Sequence, residues 1–261
     1  MGIDLTWLGH STVVVDIDGV RLVTDPLVRR HNGILRRHGD QPAQESWRAA
    51  DAVLLSHLHH DHAEVASLRE FAGVPVLTAP ENAVWVRRKG LDGRGLGEGE
   101  WFPLGAAGVE VRLVRAVHGA RPMPHRPNAA NGHLVRGPSG VVWLAGDTEL
   151  HDEMGDLPRL AGRPVDVAVV PVGGWGPRLS PGHMGPEEAA VACRLTGARH
   201  AVPVHWNTLH LPGGDRVPAG WLHLAGPRFR EAVAREAPRC DAVQLEPGAT
   251  FHLPDAPGEA G

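Results

Sequence analysis

Apolar residues along this chain recur in short runs, and their spacing predicts the elements. Residues 5–8, 12–17 and 20–24 are rich in β-branched side chains, with Asp18-Gly19 between the last two as a hairpin turn; they read as three strands. After Asp25-Pro26 the pattern lapses into a polar, arginine-rich loop that reaches about Glu45. Residues 52–55 form a continuous apolar run, the mark of a buried strand, and His and Asp residues follow it at once. A helix is predicted over 63–72, a strand over 74–78 and a helix over 80–89. The glycine-rich segment 90–99 lacks the strand-to-helix context and terminal Gly-Lys-Ser/Thr of a phosphate loop, and reads as a turn. The second half repeats this logic, with strands near 109–116, 132–136, 141–145, 166–172 and 201–204. Helices are expected near 152–160 and 227–237. A further helix opens at Pro186, carries Glu187 and Glu188 in its first turn and ends at Gly197. Strands recurring between helices in both halves predict a layered α/β architecture.

With 261 residues, 42% of them apolar, the chain has enough material for one sizeable core, taken as residues 1–253 with a frayed tail at 254–261. A formal charge of -4 gives no general attraction to nucleic acid or to an anionic membrane, so neither partner is expected. No stretch approaches the ~20 apolar residues of a membrane span. The opening Met1-Gly2-Ile3-Asp4-Leu5-Thr6 formally matches an acylation pattern, but it reads better as the start of the first strand. No signal peptide is apparent, and a cytoplasmic location is the expectation. Only two cysteines occur, Cys193 and Cys240, in unrelated contexts and too few for a disulfide framework. The seventeen histidines raise the question of which are placed for chemistry.

The strand at 52–55 runs into Ser56-His57-Leu58-His59-His60-Asp61-His62. In an extended segment residues two apart share a side, so His57, His59 and Asp61 project together, and His62 turns toward a neighbouring point as a helix begins. Imidazoles and a carboxylate just beyond the carboxyl end of a strand suit metal ligation. A solvated histidine-rich turn does not account for this pattern directly after a buried strand. Three further predicted strands end on candidates: His118, Asp147 in Gly146-Asp147-Thr148, and His205 before Trp206. A lone histidine after a strand is more often structural. Four strand ends that each deliver ligands argue together for a metal centre.

In the same order the chain carries Thr6-Trp7-Leu8-Gly9-His10-Ser11, Thr24-Asp25-Pro26, the H-x-H-x-D-H run, Ala145-Gly146-Asp147-Thr148, His183-Met184-Gly185-Pro186-Glu187-Glu188-Ala189 and Val204-His205-Trp206. This order resembles the metallo-β-lactamase superfamily over residues 3–253. It looks most like the branch that holds the bacterial ascorbate-6-phosphate lactonases and the N-acyl-phosphatidylethanolamine phospholipases D. The resemblance implies a four-layer αβ/βα sandwich, with His57, His59 and His118 on one metal, Asp61, His62 and His205 on a second, and Asp147 bridging. It implies catalysis by a hydroxide shared between two divalent ions about 3.5–4 Å apart. Asp61 would hold that hydroxide, and His183 would face the substrate and donate to the developing charge or leaving group. His and carboxylate ligands without Cys suit Zn2+, Mn2+ and Fe2+, with Zn2+ expected first.

Other residues change this picture less. His10 and Asp25 are expected to hydrogen-bond the ligands rather than bind metal. The loop from Arg29 to Arg37 is a candidate receiver for an anionic substrate. His60 should point away from its neighbours. His125 and Arg126 belong to a proline-stiffened loop whose direction the sequence leaves open. Trp175, Trp206 and Trp221 are either pocket walls or packing, and with no tyrosine in the chain none can serve as general acid. The resulting expectation is an enzyme that hydrolyses a small-molecule ester, lactone or phosphodiester. The alternatives are a nuclease, opposed by the negative charge, and a phospholipase D-like phosphodiesterase, opposed by the lack of a basic amphipathic helix. A non-catalytic metal-binding protein is disfavoured because all seven ligand positions are filled. A homo-oligomer is compatible with everything above.

Overall fold

Side chains in a strand alternate between its two faces, and here both faces are apolar, so one sheet feeds two cores. In β1 (Ile3–Gly9), β2 (Thr12–Ile17) and β3 (Val20–Thr24), the residues Ile3, Leu5, Trp7, Val13, Val15, Ile17 and Leu22 enter one core, while Leu8, Val14 and Val23 enter the other. The computed structural model describes residues 2–97, 99–119, 126–127 and 129–253; the expected tail at 254–261 and His125 lie outside them.

The chain continues through a small hairpin, β4 (His31–Asn32) and β5 (Leu35–Arg37), then β6 (Ala52–Leu54), α1 (Val65–Arg69), β7 (Val76–Thr78), α2 (Pro80–Arg88) and β8 (Gly93–Gly95). The second half supplies β9 (Trp101–Leu104), β10 (Val109–Arg115), β11 (Asn131–Gly137), β12 (Gly140–Leu144), α3 (Leu157–Ala161) and β13 (Val167–Pro171). After them come α4 (Pro186–Thr196), β14 (His200–Val204), β15 (Leu209–His210), α5 (Ala225–Glu236), β16 (Asp241–Ala242) and β17 (Thr250–Leu253). The first sheet has the order β17-β1-β2-β3-β6-β7-β8 and the second β16-β14-β13-β12-β11-β10-β9. The β17–β1 pairing, Ile3 opposite Leu253, brings the end of the chain back to its beginning.

The larger core lies between the two sheets and extends through the second sheet to Leu157 of α3, Ala189 and Cys193 of α4 and Phe229 and Val233 of α5. The smaller core fills the outer face of the first sheet, where Val53, Leu55 and Val76 meet Leu68 of α1 and Trp85 and Val86 of α2. Helix, sheet, sheet and helix thus form the four layers expected. From β3 to β8 and from β12 to β16 the strands run parallel, and β1 and β10 share their directions, so the strand ends gather at one edge.

Several expectations need correction. The first helix covers only Val65–Arg69, because His62 N and Ala63 N both bond back to His59 O and hold 59–63 in a turn; Glu64 then caps the helix by accepting from Ser67 N. Within the glycine-rich 90–99 segment, β8 pairs parallel with β7. Gly93 permits this, since a Cβ there would lie 2.5 Å from Ala83 O of α2. The arginine-rich loop is not featureless: β5 pairs with β4 and with β15, giving a three-stranded flap. The two cysteines, unrelated in sequence, meet in space, and the contact with Cys240, together with burial, pushes the Cys193 thiol well up.

Gly226, at the start of α5, lies under the Trp206 indole, which in turn stacks on Trp7 with centroids 5.7 Å apart. A Cβ at Gly226 would collide with the Trp206 ring. Gly226→Ala is therefore expected to destabilise the fold by about 1–3 kcal/mol through overpacking, despite alanine's better helix propensity. A urea-unfolding midpoint equal to or above that of the parent protein would contradict this packing.

Candidate metal centre

Seven segments reach the shared edge from strand ends. His10 follows β1, Asp25 follows β3, 56–62 follow β6, His118 follows β10, Asp147 follows β12, Gly173 follows β13 and His205 follows β14. His10, Asp25, His205 and Asn207 all take positive φ, at 50°, 34°, 65° and 50°. Such backbone is costly for non-glycine residues and is held here by the surrounding hydrogen bonds. His205 N donates to His10 O at 2.9 Å and His10 N donates to Thr208 Oγ1 at 2.6 Å, tying the two sheets together where the side chains converge.

All seven sequence-predicted metal ligands come together. His59 Nδ1 lies 3.0 Å from His57 Nε2 and 2.9 Å from His118 Nε2. On the other side, His62 Nε2 is 3.2 Å from His205 Nε2, with Asp61 Oδ2 3.8 and 3.6 Å from them. Asp147 Oδ2 stands between the groups, 3.0 Å from His62 Nε2, 3.3 Å from His205 Nε2 and 3.8 Å from His57 Nε2. The expected catalytic residue His183 joins them, its Nε2 3.1 Å from Asp147 Oδ2 and its Nδ1 3.0 Å from Ser180 O.

The opposite ring nitrogens decide what the cluster can hold. His118 Nδ1 donates to Gly182 O at 2.6 Å, His205 Nδ1 to Gly173 O at 2.8 Å and His62 Nδ1 to Asp25 Oδ2 at 2.7 Å. His57 Nδ1 bonds Ser56 Oγ at 2.9 Å, and that hydroxyl donates to Asp25 Oδ2 at 2.6 Å. Oxygen acceptors on one side of each ring set a tautomer that turns the Nε2 lone pairs inward. Lone pairs about 3 Å apart need a cation or a proton between them. Asp147 Oδ1, buried and without a hydrogen-bond partner, is a further donor atom awaiting one. The His/Asp cluster is therefore able to bind metal.

Electrostatics divide the cluster. Burial pushes His57 well down, His118 down and His59 down to about 4, so that triplet is neutral near pH 7. Burial, with His205 alongside, lowers His10 to about 3. For His62 burial also disfavours charge, but Asp147, Asp25 and Asp61 override it and hold the imidazole well above its ordinary value. Burial opposes ionisation of Asp61 and Asp147 too, yet the surrounding histidines hold both carboxylates well below the usual range. Burial opposes charge on His183, but the hydrogen bond and charge of Asp147 and the bond to Ser180 O together raise it.

Residues 20–206 match the profile of the beta-lactamase superfamily domain. The chain belongs to the metallo-β-lactamase superfamily. Within this superfamily it is 29% identical over 215 residues to the UPF0173 metal-dependent hydrolase of Pyrobaculum neutrophilum, covering 79% of this chain and 85% of that one. The counterpart from Pyrobaculum arsenaticum is 31% identical, with the same coverage. An N-acyl-phosphatidylethanolamine-hydrolyzing phospholipase D of Caenorhabditis elegans is 27% identical over 79% of this chain and 64% of its own. Among solved structures, the metallo hydrolase Igni18 of Ignicoccus hospitalis shares the fold with a TM-score of 0.75 and 24% identity, covering 97% and 99% of the two chains.

Other expectations for this metallo-β-lactamase-fold chain fared unevenly. His10 and Asp25 do hydrogen-bond the cluster: His10 Nε2 bonds Asp61 Oδ2 at 3.0 Å, and Asp25 also accepts from Ser56 N at 2.7 Å. The arginine loop lines the cleft through residues 32–35 and not through its arginines. Arg37 is buried, donates to Leu8 O and Leu27 O and is pushed down to about 10 by burial, while Arg29 pairs with Glu70. Arg126 holds the ligand loop from behind, donating to Leu58 O at 2.9 Å and Ala63 O at 3.3 Å. His60 is exposed on the rim of the cleft rather than turned away from it. Trp175 forms a wall of that cleft, Trp206 is packing, and Trp221 lines a separate hollow behind the Gly173–Leu179 loop. The acceptors Gly173 O and Gly182 O carried no sequence signal, whereas Ser56 adjoined the motif.

Asp25→Ala removes the acceptor for Ser56 N, Ser56 Oγ and His62 Nδ1 at once. It is expected to cost about 3 kcal/mol or more of stability in metal-free protein, since buried charged partners are left unpaired. Chemical denaturation of metal-free protein measures this, and a loss below about 1 kcal/mol would contradict it.

Proposed function

We propose that this chain is a metal-dependent hydrolase that cleaves an ester, lactone or phosphodiester of a small molecule. His57, His59 and His118 would hold one divalent ion and Asp61, His62 and His205 a second, with Asp147 placed between the two groups to serve both. The observation that carries this reading is the inward convergence of imidazole nitrogens whose opposite nitrogens are already committed to oxygen acceptors. The names of the Pyrobaculum relatives agree with it. Zn2+ suits a ligand set of histidines and aspartates without cysteine, and Mn2+ and Fe2+ are the alternatives. When bound, such ions supply Lewis acidity and bring a nucleophilic water into range at neutral pH.

The protein's own groups do the rest. Asp61 stays anionic against its burial because of the His62 charge and the hydrogen bonds from His10 and His205, and it orients the attacking water toward the scissile centre. His183 is raised by Asp147; with Nδ1 hydrogen-bonded to Ser180 O, its Nε2 proton rests against Asp147 Oδ2 at the cleft floor and passes from there to the leaving oxygen. The likeness to a phospholipase D keeps phosphodiesters among the candidate bonds.

Elemental analysis of protein purified without added metal, beside turnover of lactone, ester and phosphodiester probes with and without chelator, tests this reading. The expected result is about two ions per chain and chelator-sensitive cleavage of one probe class. Folded protein with neither would overturn it. Asp61→Asn and His183→Gln are each expected to lower kcat by about a hundredfold or more, with His183→Gln leaving metal content unchanged. The two triplets should also differ in pH dependence. An ion entering the neutral His57 triplet displaces no proton there, whereas one entering beside His62 displaces the proton that Asp147, Asp25 and Asp61 stabilise. Affinity for the second equivalent should therefore rise with pH more steeply than for the first, with proton release visible by calorimetry in buffers of different ionisation enthalpy. Equal, pH-independent affinities would contradict this.

A further inference from the structure

The cluster opens into a cleft of about 670 Å³, within the range of small-molecule sites, about 300–1,000 Å³. Its floor is His59, Asp61, His118, Asp147 and His183, and its upper walls are Ile34, Leu35, Trp175, Pro181 and Leu211. Among the described lining residues none is Arg, Lys or Glu. The walls are also exposed: Ile34 is 74% accessible at the tip of the β4–β5 hairpin, Trp175 45% on the loop after β13, and Leu211 44% just after β15. Large apolar side chains left bare around a reactive floor mark a surface that something apolar covers. Two of the arginines in the 29–37 segment are engaged elsewhere, Arg37 with backbone carbonyls and Arg29 with Glu70, and neither Arg30 nor Arg36 lines the cleft.

Resting on the hydrolase reading above, we propose that the substrate carries an uncharged apolar acyl or aryl group, bound between Ile34, Trp175 and Leu211, with its scissile bond directed at the His/Asp floor. The flap β4–β5–β15 supplies Ile34, Leu35 and Leu211 and the loop after β13 supplies Trp175, so two separate segments contribute apolar walls to the one cleft. An anionic group between those walls meets no Arg or Lys among the described residues that line the cleft and loses hydration without a matching guanidinium or ammonium there. Each methylene buried there is expected to raise affinity roughly three- to fourfold until the cleft is filled.

Two readouts on the metal-loaded protein test this. The first is kcat/KM for nitrophenyl esters of straight-chain acids from two to ten carbons, beside esters of matched dicarboxylic acids whose far end is anionic. The second needs no turnover: n-alkanols of four to ten carbons compete with an environment-sensitive apolar dye. The expected result is a rise of about threefold per methylene in both, discrimination of at least tenfold against the anionic esters, and loss of the chain-length dependence in Ile34→Asp. Ile34 is solvent-exposed, and Leu211→Asn provides a second variant should Ile34→Asp fold poorly. Ester turnover that is flat with chain length, or faster for the anionic esters, overturns the proposal and leaves the hydrolase reading standing. Alkanol binding that Ile34→Asp and Leu211→Asn leave unaltered overturns it as well. Chain-length-dependent alkanol binding that both variants abolish, with no turnover of any probe, upholds the apolar site and overturns the hydrolase reading.

Discussion

Asp25 accepts hydrogen bonds from Ser56 N, Ser56 Oγ and His62 Nδ1 at the point where β3 gives way to the edge of the sandwich. Through Ser56 it also governs His57, so one carboxylate sets the orientation of a ligand in each triplet. The surrounding architecture makes this possible. β3 and β6 run parallel and adjacent, which puts the end of one beside the end of the other, and Asp25 N closes onto Leu54 O to fix the register. The positive φ of Asp25 and His10 is unfavourable locally and is maintained because the cluster is held from several elements at once.

The same cluster carries an electrostatic asymmetry. Three histidines kept neutral by burial face a fourth kept cationic by three carboxylates, all within one small volume. Without a metal, the proton on His62 offsets the charge of Asp147 and Asp61. A cation bound among these residues would take over that task. A site arranged in this way couples metal occupancy to protonation, and it does so through residues drawn from both sheets.

Above the polar floor the cleft changes character sharply. Two of the arginines that made the 29–37 segment look like an anion receiver are spent on structure: Arg37 ties the flap to Leu8 and Leu27, and Arg29 reaches Glu70. What the flap presents to the cleft instead is Ile34, with Leu211 beside it. Charge density along a sequence says little about a binding surface when the guanidinium groups can be consumed by backbone carbonyls. The direction in which each arginine points is settled by which backbone lies behind it.

Much of the fold and of the cluster was legible beforehand. β-branched runs gave β2 and β3 to the residue, and the four strand-end motifs marked His57, His59, Asp61, His62, His118, Asp147 and His205, because alternation and strand-end placement are local properties of the chain. The two-residue strands of the flap, β8 beside α2, and the meeting of Cys193 with Cys240 were not legible, since each depends on a partner distant in sequence. The same holds for Gly173 O and Gly182 O, which fix two ligand tautomers through backbone atoms that any residue possesses. The sequence by itself determined which side chains are available for metal chemistry and which strands deliver them. Only the tertiary structure decided which nitrogen of each imidazole faces inward, which histidine keeps a proton and which walls stand over the floor, because hydrogen-bond partners, burial and neighbouring charge are set by the packing of segments far apart along the chain.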